Sequence, residues 1–215
     1  GEGGFESAYD NIRLIMRGEK FPPLYVVREG AGIESLADIE GKKVAAGSNG
    51  RGLANQHPQI MYLFDIETDQ VNMSHSDGQS AVVDGNIDAW YVFLGSSVQN
   101  AFSTADLNVL SLSDSTLDTI VSEVPALDAM EVPPDRLTGL DSTASVFGEG
   151  TWWVTTADYD ADVINHICET VLAHPEAIRE NNVNSENFGK EFAYYDMGVP
   201  YHDGAIEYFE SEGIA

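Results

Sequence analysis

A glycine-rich loop between a predicted strand and a predicted helix is the strongest candidate for a binding site. The segment 35–53 reads SLADIEGKKVAAGSNGRGL, in which 43–46 is an apolar strand and a helix is expected from about Leu53. Amide groups in the first turn of such a helix point at a ligand, and the helix dipole favours negative charge there. The loop therefore predicts an anion site, although the same glycines also suit an ordinary strand-to-helix turn.

Three side chains in this loop add hydrogen-bonding chemistry. Ser48 and Asn49 can donate hydrogen bonds, and Arg51 can make a forked, charge-assisted contact with a carboxylate. We therefore predict that Ser48, Asn49, Gly50, Arg51 and Gly52 bind the ligand. The loop has neither the Gly-Lys-Ser/Thr ending of a phosphate-binding P-loop nor a GxGxxG pattern, so it does not predict a nucleotide site.

A second loop has the same position relative to its strand. Residues 88–94, DAWYVFL, are the clearest strand in the chain, and Gly95-Ser96-Ser97 then leads into a helix. In α/β sheets such loops lie at the carboxyl ends of strands, where ligands bind. We therefore add Phe93, Gly95 and Ser96 to the predicted site. Other aromatic residues are expected either in pocket walls or in the core: Trp90, Tyr91, Trp152 and Trp153.

No group of residues predicts catalysis or a metal site. The five histidines are dispersed, with no HxxxH or HxH spacing and no GxSxG motif in the chain. Asp84 and Asp88 flank Gly85-Asn86-Ile87, a spacing more typical of turn and cap residues than of a catalytic pair. The one cysteine, Cys168, has helical spacing with apolar neighbours, which indicates a buried hydrophobic residue and excludes an internal disulfide. We expect no cofactor.

The charge balance excludes several classes of partner. The chain of 215 residues has 36 acidic against 10 basic residues and a formal charge of −26. Binding to nucleic acid or an anionic membrane needs clustered lysine and arginine, so neither is predicted. The acidic residues are scattered rather than in blocks, which is typical of the solvated acidic surface of halophilic proteins. With 43% hydrophobic residues the chain can nevertheless bury a core.

Strand and helix patterns alternate along the chain, which favours a parallel α/β layer. The apolar runs 12–16 and 24–27 look like strands buried on both faces of a parallel sheet. Since no helix precedes them, we infer that earlier strands of the sheet are absent from this chain.

The later part of the chain gives four further expectations. Residues 115–129 are predicted to be helical, and 142–147 and 151–156 to be two strands around Gly148-Glu149-Gly150. The segment 160–173 is the strongest amphipathic helix, and Asp203 is expected to cap the last one.

Three segments resemble known proteins. SLADIEGKKVAAGSNGRG and VVDGNIDAWYVFLG resemble two segments of type-II periplasmic binding proteins. The ending DMGVPYHDGAIEYF resembles that of the TAXI family, the solute receptors of one class of TRAP transporters. The resemblance spans most of the chain, with the segments in the order found in that family.

The resemblance implies an α/β, two-lobed fold of the type-II periplasmic-binding-protein class, with parallel-sheet lobes and flanking helices. It implies that 1–33 and 141–215 form lobe one and that 34–140 form lobe two. The family's N-terminal segment, with a glycine-rich ligand loop, has no counterpart in these 215 residues, so lobe one is expected to be incomplete.

The resemblance also implies a function. The protein would be a monomeric extracytoplasmic receptor, periplasmic or attached to the cell surface, and not an enzyme. It would capture a small organic anion, such as a carboxylate or an acidic amino acid, for a TRAP membrane permease. Two alternatives stay open on the same scaffold: an enzyme of the thiamine-precursor type, which turnover would reveal, and a ligand-sensing domain for a signalling partner.

The charge pattern generates a prediction about salt. Raising the salt concentration from dilute buffer to about 1 M shortens the Debye length from at least 10 Å to about 3 Å, which screens repulsion among the acidic residues. The free energy of unfolding should therefore rise with salt, as followed by circular dichroism during urea unfolding. Equal stability in dilute buffer and molar salt would contradict the prediction.

Overall fold

The computed structural model describes residues 9–50, 52–124, 126–180, 184–185 and 187–215. The chain divides into two compact units with separate cores, one formed by Phe21–Glu149 and the other by the residues up to Lys20 together with Gly150–Ala215. Residues 21–33 thus pack with the middle of the chain, while the lobe boundaries at 33/34 and 140/141 stay a prediction. No helix in the described ranges is both long and apolar enough to cross a membrane.

A five-stranded sheet in the order β4-β3-β5-β2-β6 forms the centre of the larger unit. Its strands are β2 Pro23–Arg28, β3 Lys43–Ala45, β4 Asp69–Val71, β5 Ala89–Phe93 and β6 Leu107–Val109. Strand β3 is parallel to β4 and β5, whereas β2 is antiparallel to β5 and β6. The prediction of a parallel sheet is therefore wrong for β2, because an apolar run shows that both faces are covered but does not fix the strand direction.

Both faces of this sheet are covered by helices. Leu24 and Val26 of β2 belong to one apolar cluster, and Tyr25 and Val27 belong to the other, as the alternation of side chains along a strand requires. Helices α2 His75–Val83 and α3 Ser96–Phe102 pack on the first face. The 3₁₀ helix Leu36–Ile39 and the helices α1 Gly52–Tyr62 and α4 Asp114–Glu123 pack on the second.

A long strand corrects two predictions. Strand β7, Leu127–Val132, occupies the end of the segment predicted to be helical, and it pairs antiparallel with β8, Ala144–Thr156. Strand β8 is continuous through Gly148 and Gly150, where a turn between two strands was expected. A Cβ atom at Gly148 would lie 1.9 Å from Sδ of Met130, so this glycine makes room for a cross-strand neighbour rather than for a turn.

The smaller unit contains β1, Ile12–Phe21, up to Lys20, and β1 is the neighbour of β8. The helices are α5 Ala161–Ala173, α6 Pro175–Arg179, α7 Lys190–Ala193 and α8 Asp203–Ser211. The carboxylate of Asp160 accepts hydrogen bonds from the amides of Asp162 and Val163, which explains why α5 begins where it does. Cys168 is fully buried in this core, as predicted, and burial raises the pKa of its thiol to about 12.

Helix α8 begins at the expected place with a different cap. His202 is the N-cap residue, and its Nδ1 accepts a hydrogen bond from the amide of Gly204 over 3.2 Å. Its Nε2 lies 3.2 Å from the carbonyl oxygen of Tyr159. The predicted cap, Asp203, is instead the first residue of the helix. The ring of His202 is buried and has a hydrogen-bond partner at each nitrogen, which fixes it at the cap position.

Helix packing in the smaller unit predicts the effect of Gly204→Ala. A Cβ atom at Gly204 would lie 2.1 Å from the carbonyl oxygen of Ala161, at the start of α5, so the two helix starts must separate. We expect the free energy of unfolding to fall by about 1–3 kcal/mol in urea titrations. The control is Gly52→Ala, where a Cβ meets no heavy atom of the described residues within 4 Å. Equal stability of the two variants would show that this contact does not limit the packing.

Candidate functional site

The segments that follow β3 and β4 are joined to each other by backbone hydrogen bonds. The amide of Ala46 donates to the carbonyl of Val71 over 3.1 Å, and the amide of Met73 donates to the carbonyl of Gly47 over 3.0 Å. Because β3 and β4 are parallel, their carboxyl ends lie at the same edge of the sheet. The pairing therefore brings the start of α1 and the start of α2 to the same edge.

A cavity of about 350 Å³ lies at this edge, within the larger unit. It is bounded by the loop after β3, the first turn of α1, the start of α2 and the last residue of β5. Its lining combines small, hydroxyl, imidazole and apolar groups: Gly47, Ser48, Gly52, Leu53, Ser74, His75 and Phe93. A volume of this size suits a small solute with a polar end and an apolar body.

The turn from β3 into α1 depends on Gly47. Its φ is +67°, in the left-handed region that residues with a side chain avoid. A Cβ atom at Gly47 would also lie 3.4 Å from Cβ of Leu53, which is itself on the cavity wall. The sharp turn at this glycine directs the chain away from the strand and places the helix start beside the cavity.

The two helix starts at the cavity differ in charge. Helix α2 carries Asp77 in its first turn, and the Oγ of Ser74 donates to this carboxylate over 2.7 Å and accepts from the Asp77 amide over 3.2 Å. The described first turn of α1 contains no acidic residue, in a chain that has 36 of them. The positive end of the α1 dipole therefore faces the cavity without an internal carboxylate in that turn, which favours an anionic ligand there.

The structure brings together some of the predicted site residues. Ser48, Gly52 and Phe93 line the cavity, while Asn49 and Gly50 form an exposed turn next to it. Gly95 is the N-cap of α3 and Ser96 is its first residue, and neither lines this cavity. Arg51 lies outside the described residues. Ligand contact by each of these eight residues remains a prediction.

Two lining residues, Ser74 and His75, escaped the sequence analysis. Ser74 is followed three residues later by Asp77, which is the Ser-x-x-Asp pattern of a helix start. This pattern predicts that a helix begins at Ser74, so the sequence does contain a signal for the start of α2. The pattern does not show that β4 pairs with β3, because that pairing is part of the tertiary structure.

Two of the aromatic candidates belong to the core of the larger unit. Trp90 and Tyr91 are 1% and 0% exposed. Trp90 packs against α2 at Gly78, where a Cβ atom would lie 2.4 Å from the indole Nε1. Trp152 and Trp153 lie in the smaller unit. Of the five aromatic residues considered, Phe93 is the one on the cavity wall.

Below the first turn, α1 carries a buried histidine that bonds to the sheet. His57 is 0% exposed; its Nδ1 lies 2.9 Å from the hydroxyl of Tyr25 and its Nε2 lies 2.9 Å from the hydroxyl of Thr68. Burial lowers the pKa of this imidazole to about 4. The ring is therefore neutral at pH 7, with one nitrogen donating and the other accepting a hydrogen bond.

A second chain of hydrogen bonds runs beside the first. The hydroxyl of Tyr91 donates to Oε1 of Gln56 over 2.5 Å, and Nε2 of Gln56 donates to the carboxylate of Glu149 over 3.3 Å. The rings of Tyr91 and Tyr25 stack with their centres 4.4 Å apart, so the two chains are in contact. Burial raises the pKa of Glu149, and the bond from Gln56 partly offsets that effect.

Among the described residues, no three side chains of the histidine, cysteine, aspartate or glutamate type come together as a metal site. The thiol of Cys168 lies in the core of the smaller unit. The residues at the cavity offer hydrogen bonds and a favourable potential, which suit binding.

Sequence comparison identifies one family. The NMT1-like family matches residues 1–213 of this chain. Among solved structures, a TctC solute binding protein from Polaromonas has a TM-score of 0.53 and 15% identity, over 91% of this chain and 66% of that one. This likeness confirms the expected fold class, α/β of the periplasmic-binding-protein type.

Two further structures have lower similarity. The periplasmic aliphatic sulphonate binding protein SsuA from Escherichia coli has 17% identity and a TM-score of 0.47, over 80% of this chain. The amino acid transporter protein AbpA from Streptococcus pneumoniae, bound to L-arginine, has 12% identity and a TM-score of 0.45, over 83% of this chain. This chain spans 52% of SsuA and 61% of AbpA, so it matches only part of each protein's length.

The buried imidazole generates a prediction about pH. Its pKa is near 6.5 when unfolded and about 4 when folded, so its contribution to stability is present above pH 6.5 and is lost as the pH falls toward 4. Between pH 7 and pH 5 the wild type should lose about 2 kcal/mol more stability than His57→Gln, measured by urea unfolding.

Comparing the wild type with His57→Gln isolates the contribution of His57 to the pH dependence of stability. Glu149, with its raised pKa, acts in the opposite direction, but it is present in both. His75→Gln makes the same substitution at an exposed histidine and serves as the matched control. Parallel stability curves for wild type and His57→Gln would refute a buried neutral imidazole.

Proposed function

The chain belongs to the NMT1-like family, and from this premise we propose that it is the solute-binding receptor of a TAXI-type TRAP transporter. It captures a small organic anion, such as a carboxylate or an acidic amino acid, and delivers it to the membrane permease. It works outside the cytoplasm, in the periplasm or attached to the cell surface, as a monomer. Residues 34–140 form lobe two, and the segments on either side contribute to lobe one.

One observation supports this proposal above the others. The first turn of α1, free of acidic residues in its described part, meets a cavity of about 350 Å³ at the carboxyl ends of parallel strands. Amide groups of Gly52 and Leu53 supply positive potential there, and the hydroxyl of Ser48 supplies a hydrogen bond. These groups therefore favour the binding of a negatively charged group over a neutral one.

The remaining walls suit an apolar body attached to that anionic group. Phe93, at the end of β5, and Leu53 supply apolar surface to the cavity, while Ser74 and His75 supply polar groups on the α2 side. A carboxylate held at the α1 start would thus keep its hydrocarbon part against Phe93. Asn49, Gly50, Arg51, Gly95 and Ser96 complete the proposed set of ligand-binding residues.

The resemblance in the C-terminal segment supports the transporter type. The segment 196–209, DMGVPYHDGAIEYF, contains the cap of α8 at His202 and the close packing at Gly204. The residues that carry the TAXI resemblance are thus also residues that form the start of α8 in this fold. The residues on which the proposed TAXI subfamily rests therefore have a structural role in the smaller unit.

The net charge of −26 repels anions, and the proposal has to account for it. At molar salt the Debye length is about 3 Å, so scattered surface carboxylates act on a ligand only at close range. The charges of the groups that line the cavity then decide the selectivity. An acidic surface of the halophilic type and an anion site free of acidic residues in its helix start are compatible under those conditions.

Binding measurements test the proposal directly. In molar sodium chloride, isothermal titration calorimetry would compare benzoate with benzamide and methanesulfonate with dimethyl sulfone. We expect at least one anion to bind ten-fold or more tightly than its neutral partner. Anions that bind no better than their neutral counterparts would refute the anion site.

Ser48 variants locate the binding at this cavity. Ser48→Ala removes one hydrogen bond and should weaken binding of the best anion roughly 2- to 10-fold. Ser48→Asp places a carboxylate at the wall and should weaken it further. Ser115→Asp, in the first turn of α4, adds the same charge elsewhere and should leave affinity unchanged. Equal effects of the two aspartates would show that only the overall charge matters.

A further inference from the structure

The face of α1 that packs on the sheet contains two polar residues one turn below the cavity. That face is otherwise apolar, with Leu53, Ile60 and Met61 in the core. Gln56 and His57 interrupt it, and each is hydrogen-bonded to a residue of the sheet or beside it. His57 is buried and Gln56 is half-buried, and the hydrogen bonds of these two residues distinguish them from the apolar residues of the same face.

Hydrogen bonds are directional, so they fix the orientation of α1 on the sheet. His57 reaches Tyr25 on β2 with one nitrogen and Thr68, just before β4, with the other, at 2.9 Å in both cases. Gln56 accepts from Tyr91 on β5 and donates to Glu149 on β8. Helix α1 is thus hydrogen-bonded to β2, β5, β8 and the segment before β4. Rotation or sliding of α1 would break these bonds and leave buried polar groups unsatisfied, which is costly.

A third contact acts on the first turn itself. The side chain of Gln70 on β4 donates a hydrogen bond over 2.9 Å to the carbonyl oxygen of Ala54, which lies in the first turn of α1. The backbone near the cavity is therefore held from β4, and the turn below it is held by Gln56 and His57. Together these bonds determine which way the first amides of α1 point.

We propose that Gln56 and His57 are positioning residues for the anion cavity: they set the rotation of α1 so that its first-turn amides face the solute. They do not contact the solute themselves. The proposal rests on the function proposed above, because it concerns the same cavity. It adds that the affinity of the site depends on the hydrogen bonds of Gln56 and His57, one helical turn below it.

Paired variants separate positioning from packing. Gln56→Met keeps the length of the side chain and removes both of its hydrogen bonds. Gln59→Met makes the same substitution on the exposed face of the same helix. The double variant Tyr25→Phe/His57→Leu removes the two fully buried partners together, and the half-buried hydroxyl of Thr68 loses its bond to His57. His57→Gln retains a donor and an acceptor at position 57.

Two readouts are needed. Residual dipolar couplings of backbone N–H groups measure the orientation of α1 relative to β3 and β5 without any ligand. Calorimetry with benzoate, in molar salt, measures the affinity of the cavity. Gln56→Met and the double variant should change the α1 couplings and weaken benzoate binding about 5- to 10-fold. Gln59→Met should change neither, and His57→Gln should restore most of the affinity lost in the double variant.

Each outcome decides the proposal. Unchanged α1 couplings in both Gln56→Met and the double variant would overturn it, whatever the affinities. Altered couplings with unchanged benzoate affinity would also overturn it, because the orientation would then not matter for binding. If wild type binds benzoate no better than benzamide, the anion function fails for this probe, and the couplings still decide whether the buried pairs orient the helix. If one variant fails to fold, the other carries the test.

Discussion

The parallel pairing of β3 with β4 on one side and β5 on the other is the constraint on which the candidate site depends. Parallel neighbours end at the same edge of a sheet, so the segments after these strands meet there. The starts of α1 and α2 and the ring of Phe93 consequently surround one cavity. Had β3 been antiparallel to either neighbour, its glycine loop would lie at the opposite edge.

Strong local patterns made part of this predictable from the sequence. The strand before Gly47, the helix after it, β5 and the amphipathic α5 were all predicted with nearly the observed bounds. Each combines a clear hydrophobic period with a glycine or cap residue at its end. The features that could not be predicted are tertiary. The direction of β2 and the straight passage of β8 past Gly148 depend on neighbours distant in the sequence, such as Met130.

The site shows the same division. Ser48, Gly52 and Phe93 were predicted from loops that follow strands, and they do line the cavity. His75 was not predicted because it reaches the cavity through the pairing of β4 with β3, and the local sequence does not show which strands are neighbours. The hydrogen bonds of Gln56 and His57 could not be predicted either, since a histidine and a glutamine on a helix give no sign that tyrosines of the sheet lie opposite.

The burial of Cys168 has a practical consequence for studying this protein. The only thiol in the sequence is enclosed in the core, with a pKa of about 12, and reactive thiols need to be both accessible and ionised. A cysteine engineered onto an exposed position would therefore react with maleimide or nitroxide reagents almost alone. The native background needs no prior removal of cysteine, which leaves the packing around α5 undisturbed while probes are attached near the cavity.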